Sequence, residues 1–151
     1  MYSKTISSIA FAAIALYAGT ATALFDCQTD QHAFPPTEGK FVVHYTSKRD
    51  SNYNGQPWIR VCMPETNGDW SEVDPIQTPC TADPSTTVPK EATGLLENLI
   101  VTNGNGCDTG SSNLDGASIA YGDQIAVLDG SAGECGDRDH GISCEFDLTD
   151  N

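Results

Sequence analysis

Basic residues are scarce in this sequence. Its 151 residues include 7 Lys and Arg against 21 Asp and Glu, which gives a formal net charge of −14. An acidic surface repels the phosphates of nucleic acids and the headgroups of anionic membranes. We therefore expect neither a nucleic-acid partner nor a membrane partner. The length leaves room for one domain and excludes a multidomain enzyme.

Hydrophobic runs of membrane-spanning length are also missing. The one sustained apolar run, 6–18, covers 13 residues, fewer than the roughly 20 that a transmembrane helix needs. Lys4 precedes this run and a small-x-small pattern ending at Ala23 follows it, as in a secretory signal peptide. We expect a signal peptide over 1–23, cleavage after Ala23 and one secreted, extracellular domain over 24–151. Loss of Lys4 changes the formal charge from −14 to −15.

The cysteines all follow the expected cleavage site, at Cys27, Cys62, Cys80, Cys107, Cys135 and Cys144. An even number of cysteines in an oxidising compartment predicts three disulfides. No two of them stand at the short spacing of a zinc knuckle, so we expect no metal and no cofactor. Of the fifteen possible pairings, closure of turn-rich loops favours Cys62 with Cys80 and Cys135 with Cys144. That choice leaves Cys27 for Cys107.

Short runs of alternating, β-branched and aromatic residues predict strands at 40–46, 57–63, 117–121, 124–129 and 142–148. The last run alternates most clearly, so one of its faces is expected to be buried and the other solvated. Its neighbours 117–121 and 124–129 are separated by a glycine-containing connection, which predicts an antiparallel hairpin.

The segments between these strands are richer in turn residues. The Pro-rich stretch 64–88 and the Gly/Asn-rich stretch 103–116 are predicted to be loops. The segment 90–100 is predicted to be a short helix or turn that runs into a strand. The fold class that follows is mainly β: a disulfide-stapled antiparallel β-sandwich or barrel of six or seven strands, with one short helix at most.

Catalytic and metal motifs are weak in this chain. Asp137, Asp139 and His140 lie together between the last two cysteines, but no nucleophile signature accompanies them, and we interpret the cluster as a charged hairpin tip. The loop 103–116 lacks oxygen ligands at the positions that an EF-hand requires, because Cys107 and Leu114 occupy them. We expect no catalytic residue and no enzyme activity. A ribonuclease-like or other small secreted hydrolase is the weaker alternative.

Positive charge is concentrated in the stretch 40–60. It holds four of the six mature cations against Asp50 alone, a local charge of +3, while the rest of the mature chain carries −18. Aromatic residues alternate with these cations, and both residue types are frequent in binding hot spots. We predict a contact surface formed by Lys48, Arg49, Tyr53 and Trp58.

Two alternatives apply to the same stretch. Trp58 can instead be a core residue on a strand beside an ordinary solvated hairpin. Exposed Trp58, Tyr53 and Trp70 can also stack on sugar rings, which would make the protein a carbohydrate or cell-wall binding module. In addition, the dibasic pair Lys48-Arg49 resembles a site for a Kex-type processing protease, which would cut after Arg49.

A signal peptide, six cysteines, an acidic charge and no enzyme signature together resemble the small secreted cysteine-containing proteins of fungi, many of which are virulence effectors. The order of Cys27, then Cys62 and Cys80 on either side of Trp70, then Cys135 and Cys144, is similar to that of the Alternaria-allergen-like family, from which Cys107 departs as an extra cysteine. This resemblance implies a β-barrel that interferes with plant defence. Phe25-Asp26-Cys27 also resembles the opening of powdery-mildew effector candidates with a ribonuclease-like fold. The function expected is therefore a secreted, non-enzymatic effector that binds a host protein or a cell-wall glycan.

Overall fold

The structure is a computed structural model of the chain. It describes residues 25–28, 34–35, 37–48, 51, 54–81, 83–107, 113–129, 135–138 and 141–148. The expected signal peptide lies outside the described residues.

Ten strands and one short helix form two antiparallel sheets. In chain order they are β1 (Lys40–Thr46), β2 (Trp58–Pro64), β3 (Trp70–Glu72), β4 (Ile76–Gln77), β5 (Ser85–Val88), α1 (Lys90–Thr93), β6 (Leu99–Thr102), β7 (Ser118–Tyr121), β8 (Gln124–Val127), β9 (Cys135–Arg138) and β10 (Gly141–Asp147). The six-stranded sheet has the order β3-β2-β1-β10-β9, with β4 also paired to β2, and the four-stranded sheet has the order β5-β6-β7-β8. The mainly β, disulfide-linked fold with one short helix is confirmed. Within the described residues no closed barrel forms, so the sandwich is the architecture observed.

The main core lies between the two sheets. Alternate residues of β1 point into it, namely Phe41, Val43 and Tyr45, and they meet Leu99 and Ile119 from the four-stranded sheet. The Phe41 ring packs edge-on against Tyr121 at 4.8 Å between ring centroids and stacks on Phe146 at 5.4 Å. Burial of these apolar side chains is the main force that holds the sheets together.

A second core covers the opposite face of the six-stranded sheet. Its buried members come from the N-terminal segment and from β1, β2 and β3: Phe25, Cys27, Val42, Trp58, Cys62 and Trp70. The central strands of this sheet are therefore buried on both faces, which explains the continuous apolar run of β1. Ser143 of β10 alternates with the core residues Ile142 and Cys144, so the pattern predicts a solvated position. It is fully buried instead, and it contacts His44, on which the Phe25 ring stacks.

The disulfides are Cys27–Cys62, Cys80–Cys107 and Cys135–Cys144, and no cysteine is free. The expected Cys135–Cys144 pairing is confirmed, and these two residues are direct cross-strand partners in β9 and β10. The expected Cys62–Cys80 and Cys27–Cys107 pairings are wrong. Three disulfides are consistent with folding in an oxidising compartment.

The register of β4 on β2 explains the error. Trp58 pairs with Gln77 and Ile59 with Ile76, so the chain after β4 leaves the sheet beyond the Trp58 end of β2. Cys62 lies four residues further along β2, roughly 13 Å away at the rise of a strand. A disulfide joins Cα atoms that are at most about 7 Å apart. Cys80 is thus at the wrong end of β2 for Cys62.

The stretch 64–88 is not the continuous loop that its prolines predict. It contains β3, β4 and β5, three strands of two to four residues each. By contrast, the strand predicted at 40–46, the β7–β8 hairpin and the short helix that leads into β6 are all confirmed.

Candidate binding surface

Two of the four residues of the predicted contact surface, Lys48 and Trp58, lie within the described part of the chain, and neither is fully exposed. Lys48 is half-buried, whereas Arg49 and Tyr53 lie outside the described residues. Trp58 has only 1% of its surface exposed, and Trp70 only 6%, because both pack in the second core. The buried alternative for Trp58 is therefore the one observed, and neither tryptophan is available to stack on a sugar.

Two of the four cations of the stretch 40–60, Lys40 and Arg60, form ion pairs within the molecule. The Lys40 ammonium lies 2.8 Å from Glu145 and 3.5 Å from Asp147, and the Arg60 guanidinium lies 2.8 Å from Glu72. The hydrogen bond and the charge of Glu145 raise the pKa of Lys40 above its ordinary value. The positive patch that the sequence predicts is thus reduced by long-range partners from β3 and β10.

Glu72 also anchors the N-terminal segment. One of its carboxylate oxygens accepts a hydrogen bond from the Arg60 guanidinium, and the other accepts one from the Cys27 main-chain N–H at 2.8 Å. Gln28 donates to the Trp70 carbonyl at 2.8 Å. Together with the Cys27–Cys62 disulfide, these contacts hold the segment 25–28 over β2 and β3.

His44 and Ser143 form a buried polar pair under this cover. His44 Nδ1 lies 3.0 Å from the Ser143 hydroxyl, and the Phe25 ring stacks on the imidazole at 3.6 Å with an interplanar angle of 4°. A serine beside a histidine is a possible nucleophile and base. Both side chains are, however, fully buried, so no substrate reaches them in this fold. The contact between them provides a hydrogen-bond partner for one polar atom of each buried side chain.

The outer face of the four-stranded sheet is different, because every outward side chain on it is uncharged. Two rows cross its strands, Thr87-Ile100-Ala120-Ile125 and Ser85-Thr102-Ser118-Val127, as the strand register shows. The hydroxyls of Ser85 and Thr102 lie 3.0 Å apart. We call these eight residues the uncharged face.

Two large aliphatic side chains are exposed on the uncharged face. Ile125 has 66% of its surface exposed and Ile100 has 45%. Ala120 lies between them as the cross-strand neighbour of both. An exposed apolar row on a sheet is the kind of surface that proteins use for association, since its burial releases water without desolvating a charge.

Five carboxylates lie at the ends of the strands of this face, together with one exposed cation, Lys90, just after β5. Asp83 precedes β5, Asp115 precedes β7 and Asp129 follows β8 at one end, while Glu97 precedes β6 and Asp123 forms the β7–β8 turn at the other. All five residues are exposed. We call them the rim acids.

A cleft of about 400 Å³ lies beside the β8 edge, lined by Phe34, Lys40, Ile125, Glu145 and Asp147 among others. The Gln124 side-chain amide donates to the Asp147 carbonyl at 2.9 Å and accepts the Asp147 main-chain N–H at 2.8 Å. These two hydrogen bonds join β8 to β10 at this edge. The Lys40 charge in this cleft is already matched by Glu145 and Asp147, which leaves the cleft without a distinctive ligand chemistry.

The signal for the uncharged face was present in the sequence but easily overlooked. Leu99 and Val101 are buried, and they alternate with Ile100 and Thr102 on the outer side of β6. The small hydroxyl and aliphatic residues of the other strands can be assigned to the same surface only when the strand order is known.

No protein-family model, no curated protein and no solved structure matches this chain. The resemblance to the Alternaria-allergen-like family stays a prediction. Among the described residues, no three metal-ligating side chains cluster together, and no helix is long and apolar enough to cross a bilayer.

Proposed function

We propose that the protein is a secreted, non-enzymatic, effector-type protein that acts by binding a protein of a host or of its extracellular surroundings. The signal-peptide pattern of 1–23 and the three disulfides support secretion. The uncharged face supports binding, and it replaces the stretch around Lys48 as the proposed contact surface.

The observation that carries the proposal is the exposure of Ile100 and Ile125 on a sheet face without charges. The chain has 21 acidic residues, yet none points outward from these four strands. Solvent alone favours polar side chains at exposed strand positions, whereas a binding partner favours aliphatic ones.

A cell-wall glycan is the less favoured target. Sugar-binding surfaces present aromatic rings to solvent, and both Trp58 and Trp70 are buried. A purified protein that is retained on chitin or glucan, and loses this retention on Tyr53→Ala, would restore the glycan hypothesis.

The first test is the mass of the protein released into the medium. The proposal predicts a chain that begins at Leu24 and whose six thiols are all blocked until reductant is added. Free thiols or an uncleaved signal segment would contradict the secreted, disulfide-bonded protein on which the proposal depends.

The second test measures function. Purified protein is infiltrated into leaves, and defence-gene expression and cell death are compared with those in buffer-treated leaves. The variant Ile100→Glu with Ile125→Glu is expected to lose the response. Its matched control, Leu96→Glu with Thr66→Glu, adds the same two charges at exposed positions off the uncharged face and is expected to keep it. Equal responses from the two variants would remove this face from the proposal, and no response to the unaltered protein would overturn it.

A further inference from the structure

We propose that the partner of the uncharged face is a basic protein, with an aliphatic patch that docks on the Ile100–Ala120–Ile125 row and Lys or Arg residues that meet the rim acids. This inference rests on the proposed function, because it names the chemistry of the target that the same face would bind. Three properties of the face support it.

The first property is the apolar centre. Ile100, Ala120 and Ile125 are neighbours across three adjacent strands. Thr87, Ser85 and Thr102 extend the plane with short hydroxyl side chains that lose little conformational entropy on binding. A complementary aliphatic patch can therefore be buried here without leaving an ionised group unpaired.

The second property is the arrangement of charge. The rim acids lie at both ends of the strands and are exposed, while the centre has no charge at all. Charges at the rim of an interface guide the approach of the partner and set its orientation, and the buried centre supplies the lasting contact. Cationic residues are the complement of such a rim.

The third property is the repulsion that a second copy of this chain would experience. Two copies packed through this face would bring rim acids close to rim acids, and each mature chain carries a formal charge of −15, one less than the −14 of the full chain because Lys4 is lost. Like charges placed opposite each other disfavour association. A basic partner removes this penalty, and so the charge pattern favours a heterologous complex.

The outer face of the six-stranded sheet does not compete for this role. Among its described side chains, Lys40 pairs with Glu145 and Arg60 pairs with Glu72. The N-terminal segment covers its central part. Within the part of the chain that the structure describes, the uncharged face combines an apolar centre with exposed side chains, Ile100 and Ile125.

The experiment uses leaf extracellular wash fluid, separated by cation exchange into a basic pool and an acidic pool. The secreted protein is immobilised, and association and dissociation of each pool are recorded by surface plasmon resonance. Proteins retained from the basic pool are then purified and measured one at a time. We expect binding from the basic pool and not from the acidic pool.

Two triple variants with the same change in net charge separate rim contacts from general electrostatics. Asp83→Asn with Glu97→Gln and Asp123→Asn removes three rim acids. Glu38→Gln with Glu65→Gln and Asp74→Asn removes three exposed acids elsewhere. The rim variant is expected to associate on the order of ten-fold more slowly at low salt, and this difference should vanish at 1 M salt, where charges are screened within about 3 Å. The second variant should associate nearly as fast as the unaltered protein.

Several results would overturn the inference. These are binding from the acidic pool, binding from neither pool, equal association of the two triple variants, and unchanged binding of Ile100→Glu with Ile125→Glu. A dimer in sedimentation velocity that this last variant abolishes would instead assign the face to a second copy. The leaf assay is independent: a normal leaf response with equal triple variants rejects only the basic partner, whereas selective binding without any leaf response rejects only the effector function.

Discussion

Asn103 joins three separate segments of the chain through one buried side chain. Its amide oxygen accepts the Tyr45 hydroxyl at 2.9 Å, and its amide nitrogen donates to the carbonyls of Thr78 at 2.9 Å and Pro79 at 3.3 Å. Its main-chain N–H donates to Pro84. The residue thus ties the six-stranded sheet to the chain between β4 and β5.

We predict that Asn103→Ala lowers the free energy of unfolding by about 1 to 3 kcal/mol. The substitution leaves the Tyr45 hydroxyl and the two carbonyls without this buried partner, and unsatisfied buried polar groups are costly. Urea unfolding of the disulfide-intact protein measures the change. Asn105→Ala, at an exposed position two residues away, is the control and should change the stability by less than about 0.5 kcal/mol. Equal effects of the two substitutions would contradict this role of Asn103.

Tyr45 predicts how stability changes in alkali. Burial raises the pKa of its phenol above the ordinary value of 10.0. As pH rises past 10, the unfolded chain therefore loses this proton first, and stability falls with pH. We predict that Tyr45→Phe removes the contribution of this proton. Above pH 10 the free energy of unfolding of the variant should therefore fall less steeply with pH, by up to about 1.4 kcal/mol per pH unit. Unfolding curves between pH 8 and pH 11 test it, and identical slopes for both proteins would refute it.

At the scale of elements, β10 begins at a position where only glycine fits. A Cβ atom on Gly141 would overlap the main-chain carbonyl of Tyr45 in β1 and would lie 2.9 Å from the His44 imidazole. The close approach of β10 to β1 therefore depends on the missing side chain.

We predict that Gly141→Ala destabilises the protein by about 1 to 3 kcal/mol, since β10 must move away from β1 to admit the methyl group. Gly122→Asn is the matched control. Gly122 has a φ of +57° and nothing within 4 Å of an added Cβ, and asparagine tolerates this backbone conformation. Its substitution should cost less than about 1 kcal/mol. Thermal unfolding of both variants measures the difference, and a larger loss at Gly122 would contradict the packing argument.

The elements that the sequence predicted correctly are those with strong local signals. β1 has a long β-branched and aromatic run, and the β7–β8 hairpin has a glycine at its turn. The strands that the sequence did not predict are short or polar, and they form because they pair with a neighbouring strand: β3, β4, β5 and β9. Local patterns contain no information about those neighbours.

The candidate site was predicted less well for the same reason. Trp58 is buried because the N-terminal segment packs in the same core, where the Cys27–Cys62 disulfide holds that segment on β2. The neutralisation of Lys40 results from Glu145, which lies 105 residues away in the chain. Both contacts join distant parts of the sequence, and neither leaves a trace in the stretch 40–60 itself.

At the scale of the whole molecule, the piece that contains β1 is not a propeptide that a single cut could release. Strand β1 lies between β2 and β10 in the six-stranded sheet, and Cys27 is joined to Cys62 on the other side of the dibasic pair. Arg49 itself lies outside the described residues. A Kex-type cut after Arg49 would therefore leave two chains held together by the sheet and by one disulfide.

We predict that protein cut after Arg49 gains the mass of one water and stays whole under non-reducing denaturing conditions. Reductant should then release the piece that ends at Arg49. Mass spectrometry before and after reduction measures this, with the uncut Arg49→Ala variant as the control. Release of that piece without reductant would contradict the Cys27–Cys62 linkage.

The pairing of β1 with β10 also constrains how the protein is made. Lys40 is the partner of Asp147, and Phe41 is the partner of Phe146. The ribosome must therefore translate as far as β10 before the central strand of the larger sheet obtains its second neighbour. Until then, the aromatic side chains of β1 remain uncovered on a growing polypeptide, a state that favours slow folding and aggregation. A premature stop codon just before β10 would consequently yield a chain that chaperones retain, even though β1 to β9 are all translated.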